Sequence, residues 1–187
     1  MRSLVFLASA MLVTPFLVAP ACAEDKPADR SFAIGEGKLV FAAPEGWTKK
    51  EPKSRIIEAE FEIPAAEGDE IPGRLTAMGA GGSVEANIER WVGQFVDEGD
   101  DAKPKVTKKT IGGNEVHVVD LGGTYKDSPA GPFAGGKTTL RKDYRMLGAI
   151  IVTKDSGNYF LKLYGPQATI GAAEKGFGEL IESLKVK

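Results

Sequence analysis

The chain has 187 residues, 24 Lys+Arg against 26 Asp+Glu, a formal net charge of −2, and 42% hydrophobic residues. That is enough chain for one domain with a sizeable core, and the near-neutral balance excludes a general electrostatic pull toward nucleic acid or anionic lipid. One histidine and one cysteine leave too few ligands for an ordinary zinc site.

The chain begins with a positive residue, Arg2, followed by an almost wholly apolar stretch over residues 4–18 and then Ala21-Cys22-Ala23 before Glu24. This is the pattern of a secretory signal peptide with an A-x-A cleavage site. The apolar run, about 15 residues, is short of the ~20 needed to span a bilayer as a helix. Cleavage after Ala23 would remove the only cysteine and leave a thiol-free domain suited to an oxidising compartment. A second reading stays open: cleavage before Cys22 with lipid attached there, as in bacterial lipoproteins. Ala21 fits that pattern, and Ala19 and Pro20 depart from it.

Residues 24–35 are expected to be a flexible leader and residues 36–187 a single domain. Residues 38–43 predict a first strand, closed by Pro44-Glu45-Gly46. Over residues 56–63, Ile57, Ala59, Phe61 and Ile63 alternate with Glu58, Glu60 and Glu62, a half-buried strand with one wet face. An acidic turn over 65–72 leads into a third strand at 74–79. Gly79-Ala80-Gly81-Gly82 then breaks the chain, and Ser83 caps a helix whose apolar stripe is Val84, Ile88, Trp91 and Phe95. Residues 105–111 and 115–125 flank Gly112-Gly113-Asn114 and predict a hairpin. Residues 126–144 read as a long loop rich in Gly, Pro and cations. Residues 146–153 and 159–164 predict a second hairpin. A closing helix over 168–184 carries Ala173, Phe177, Leu180, Ile181 and Leu184 on one stripe. Hairpins dominate, so the expected fold is α+β: a mostly antiparallel sheet of about six or seven strands, covered on both faces by two helices.

Phe41-x-x-Pro44-Glu45-Gly46-Trp47 near the start of the domain, and Gly165-Pro166 leading to a helix with Phe177, Leu180 and Ile181 at its end, resemble the PsbP-like family. That family includes the extrinsic photosystem II proteins and Ran-binding relatives. The resemblance implies an α/β/α sandwich around an antiparallel sheet and an accessory or binding role, with no reaction. Gly81-Gly82-Ser83-Val84-Glu85-Ala86-Asn87 with Arg90-Trp91 also resembles a set of exported bacterial proteins.

Gly131-Pro132-Phe133-Ala134-Gly135-Gly136-Lys137-Thr138 satisfies the phosphate-loop pattern. That chemistry needs a buried strand before the loop and a helix after it, and this sequence supplies neither. Export would also remove the usual nucleotide. The same segment is nevertheless the best candidate for binding a partner or anion, through Lys137, Arg141, Lys142 and Arg145. His117 lies on an apolar strand without a second histidine and reads as structural. The acidic stretches 67–70 and 97–101 lack a calcium-loop pattern and read as solvated loops.

The sequence therefore predicts an exported, periplasmic or cell-envelope protein that works without a cofactor as a non-enzymatic binding or accessory module. It would act as a monomer on an envelope protein or small ligand, not on nucleic acid, and would meet the membrane only if Cys22 is lipidated. The alternatives are an envelope hydrolase or metal-dependent enzyme with a dispersed site, and a lipoprotein anchored through Cys22.

Overall fold

The computed structural model describes residues 30–96, 103–128, 137–154 and 156–187. Ala21, Cys22 and Ala23 of the expected cleavage site and the acidic stretch 97–101 lie outside them, as do residues 131–136 of the phosphate-loop pattern. In chain order the elements are β1 (Ser31–Ile34), β2 (Leu39–Ala42), β3 (Thr48–Lys50), β4 (Ala59–Ile63), β5 (Gly73–Ala80), α1 (Val84–Val92), β6 (Lys105–Ile111), β7 (Asn114–Asp127), β8 (Thr139–Val152), β9 (Asn158–Pro166), α2 (Gln167–Glu182) and β10 (Lys185–Val186).

Seven strands form one sheet in the order β3-β4-β5-β9-β8-β7-β6, and every neighbouring pair is antiparallel. β1, β2 and β10 form a second, three-stranded sheet. Together with two helices this is an α+β architecture. β1 falls within the stretch expected to be a leader. Phe32 and Ile34 alternate with polar or small residues and are buried against the core, and that burial holds the segment in place.

One face of the large sheet is covered by α2 and the small sheet. Leu75, Leu147, Ile151, Leu161 and Leu163 meet Ile170, Phe177 and Leu180 of α2 there, with Phe32 and Phe41 beside them. The helix start is secured from outside. Pro166 has no side chain to cap α2, so Asp69 accepts hydrogen bonds from the Thr169 backbone N–H at 3.0 Å and its hydroxyl at 2.6 Å. The turn that reads as merely solvated thus caps a helix.

The other face is covered by the shorter α1. Its Ser83 N-cap accepts from Ala86 N–H, as the sequence implies. Its buried apolar contact is Trp91, whose ring lies directly on Gly148. A Cβ built at that glycine would sit 2.3 Å from the ring, so only glycine admits the helix at this distance. Trp91 also meets Phe160 edge-on at 5.9 Å.

The expected long loop is strand at both of its ends. β7 continues to Asp127 and β8 begins at Thr139, because the polar residues of this arm pair across the ladder as well as apolar ones do. A register shift interrupts the arm: Gly123 pairs with Tyr144 but Tyr125 pairs with Arg141. Two residues of β8 therefore oppose one of β7, and Asp143 takes a positive φ of 54°. This is a β-bulge.

Candidate functional site

α1 is short, and its end decides what lies exposed beside it. Gly93 closes the helix, and residues 94–96 then turn onto the edge of β7. Lys126 N–H donates to Gln94 O at 2.7 Å and Val96 N–H to Thr124 O at 2.8 Å. The edge is free there because the β6 ladder stops at the Lys105–Asp120 pair. This attachment holds Phe95 and Gln94 above the sheet, with Phe95 meeting Tyr125 edge-on at 5.3 Å.

Beneath Gln94 lies Lys162, at the centre of β9 and 8% exposed. Its ammonium donates to Gln94 Oε1 and, at 3.1 Å, to the Tyr125 hydroxyl. It also sits 4.5 Å from the Tyr164 ring centre and 5.0 Å from that of Tyr125, so two π-faces favour its charged form. Burial outweighs them and, with the nearby Arg74 charge, lowers the Lys162 pKa to about 7. The amine is thus divided between charged and neutral forms near neutral pH.

Tyr125 stacks on Tyr144, with ring centres 5.9 Å apart and planes within 6°, and lies 5.2 Å from Tyr164. Three of the chain's four tyrosines therefore meet here. Burial raises the Tyr125 and Tyr144 hydroxyls above the ordinary tyrosine pKa. Arg74 flanks the group: it holds Glu60 through two bonds of 2.9 Å and donates to the Tyr164 hydroxyl at 2.9 Å. The Glu60 hydrogen bonds raise the Arg74 pKa despite burial. On the other side Arg141 pairs with Asp127 at 3.2 Å. The adjoining cavity, lined by Gln94, Tyr125 and Thr138, holds about 220 Å³, below the roughly 300–1,000 Å³ of small-molecule pockets. The arrangement is a charge-balanced aromatic cluster with no deep pocket: Tyr125 and Tyr144 are buried in it, and Tyr164, Arg74 and Arg141 reach the surface in part, the residue types that recognise protein surfaces.

The four cations singled out in the sequence do not form one patch. Arg141 joins the tyrosine face. Arg145 reaches the opposite face, where it clamps Asp120 at 2.8 and 2.9 Å and Glu174 of α2 at 2.8 Å. Lys142 is exposed at the bulge, and Lys137 is exposed before β8. Lys137 and Thr138 run into a strand, not a helix, which is not the geometry of a phosphate loop. His117 bonds Glu115 at 2.6 Å on the β7 strand, and Glu115 also pairs with Lys108. Among the described residues no group of three or more His, Cys, Asp or Glu could hold a metal. The sequence reading passed over Lys162, Gln94 and Arg74. One local signal was available: Lys162 is the only charged residue between Tyr159 and Tyr164.

No protein-family model and no curated protein matches the chain. Among solved structures, the chain is similar to cyanobacterial PsbP (CyanoP) from Synechocystis, with TM-score 0.52 and 13% identity over 89% of this chain and 98% of that one. LpqN of Mycobacterium tuberculosis, described as involved in cell envelope biogenesis, gives TM-score 0.49 and 14% identity over 84% and 89%. The fold is PsbP-like, as the resemblance in the sequence implies.

Proposed function

We propose that the protein is an exported, non-enzymatic accessory module of the periplasm or cell envelope that binds another protein through the tyrosine face. The observation that carries this reading is the convergence of Tyr125, Tyr144 and Tyr164 with Lys162, Arg74 and Arg141 at the open end of α1. Tyrosine and arginine are the residues that dominate binding energy at protein interfaces. The arginine charges here are already paired with Glu60 and Asp127, so the partly exposed Tyr164, Arg74 and Arg141, held from beneath by the buried Tyr125 and Tyr144, offer contact and orientation without a strong field. The leader-like start of the sequence supports export.

A photo-crosslinking residue at Met78, half-buried on this face, tests the reading in cells, with Lys175 on the outer side of α2 as the control. A discrete adduct from position 78 that disappears in Tyr164→Ala and is absent from position 175 is the expected result. Equal adducts from both positions, or none from 78, would overturn it.

A further inference from the structure

The opposite face of the sheet holds a second, unrelated feature. α2 packs over β8 and β9, and on its flank β6 and β7 are only partly covered beside Val118. Between the helix and the side chains of β6 runs a groove of about 340 Å³, within the range of small-ligand sites. Its floor is apolar: Val118 of β7, Leu147 of β8, and Phe177 and Ile181 of α2. It follows α2 from Glu174 to Ile181, about 10 Å of helix. The ion pair between Lys109 and Glu182, 2.9 Å, stands at the far end.

At the near end the groove meets a second space of about 300 Å³, and Lys105 and Asp120 line both. This space is polar, with Arg145 and Gln167 facing it together with Lys103. Its one acid, Asp120, is held by both forks of Arg145. Lys105 makes no ion pair with the described residues. Gln167 opens α2, whose first turn is already capped by Asp69, so the charge of the mouth comes from its lysines and Gln167 adds a polar side chain beside them. An apolar trough therefore runs into a cationic mouth.

We infer that this groove binds a single-chain anionic amphiphile, its hydrocarbon tail along Val118, Leu147, Phe177 and Ile181 and its acidic head at Lys105 and Gln167. Charge complementarity selects the occupant: a neutral or cationic head would leave the Lys105 ammonium without a counter-charge, and a soluble anion would leave the trough unfilled. The site lies across the sheet from the tyrosine face, so it stands or falls apart from the protein-binding role.

Decanoate is the probe, titrated by calorimetry below its aggregation concentration, with octyl glucoside and decyltrimethylammonium as neutral and cationic comparisons. Two variants separate tail from head. Gly178 lines the groove, and a Cβ there meets no atom within 4 Å, so Gly178→Leu fills the trough while raising helix propensity. Lys105→Glu reverses the mouth. Saturable one-to-one binding of decanoate is expected. Gly178→Leu should abolish it at unchanged or higher Tm, and Lys105→Glu should weaken it about tenfold or more, the scale of a lost charge-assisted contact. Decanoate affinity unchanged in both variants, or matched by either comparison amphiphile, would overturn the assignment, as would the absence of saturable binding.

Discussion

The two faces of the seven-stranded sheet are built on different principles. Along β9, Leu161 and Leu163 point to the α2 face and are fully buried among other aliphatic side chains. Their neighbours Lys162 and Tyr164 point to the α1 face, into hydrogen bonds, ring contacts and a charge. The first face gains its stability from area removed from water and from close packing. The second places an amine out of water and compensates only in part. Adjacent residues of one strand thus separate folding from chemistry, and the sheet's alternation keeps the two apart.

Three measurements sharpen this contrast. Leu161→Ala should have the largest effect, a loss of roughly 4 kcal/mol in denaturant unfolding, because a closed aliphatic layer cannot collapse around the cavity. A cost near that of a surface substitution would mean the α2 face is not the main source of stability. The next effect concerns pH. Lys162 has a folded pKa of about 7 against an ordinary value of 10.5, so the unfolded chain holds more protons between these values, and stability rises with pH there. From pH 7 to 9.5 the wild type should gain roughly 3 kcal/mol relative to Lys162→Met, which removes the titration. Above about pH 10 the stability of both proteins should fall, since the raised Tyr125 and Tyr144 favour ionisation in the unfolded chain. Parallel pH profiles for the two proteins would show that Lys162 is fully charged in the fold. The smallest effect belongs to a point at which the α2 face depends on polar bonding. Asp69→Ala should cost about 1 kcal/mol by uncapping α2, and no change would mean that water replaces the carboxylate there.

The α2 face was legible in the sequence because it obeys local rules. The stripe Ala173, Phe177, Leu180, Ile181 and Leu184 follows helical spacing, and all five are buried. Ala59, Phe61 and Ile63 alternate as a strand should, and they are buried too. The Ser83 cap and the two hairpins followed from single residues and turns. The tyrosine face was not legible, since its members come from five separate stretches: Arg74, Gln94, Tyr125, Tyr144 with Arg141, and Lys162 with Tyr164. They meet only through the register that aligns Thr76 with Lys162 and Lys162 with Gly148. β1 and β10 escaped notice because strands of four and two residues carry too little periodicity to register. The arm at residues 126–144 misled for the opposite reason: its glycines, prolines and cations have loop composition, while backbone pairing, which composition does not report, makes strand of its two ends, to Asp127 and from Thr139.

The bulge at Asp143 has a consequence beyond local geometry. Arg141, Lys142 and Arg145 read as one basic cluster along the chain, yet the extra residue reverses the parity of β8 between Tyr144 and Arg141. Arg141 thereby sides with Asp127 and the tyrosines, and Arg145 with Asp120 and α2. One backbone position acts as a sorting junction that allots neighbouring arginines to different tasks. Length, more than residue identity, is the sensitive variable there: a single insertion or deletion would exchange the sides, which no side-chain substitution can do.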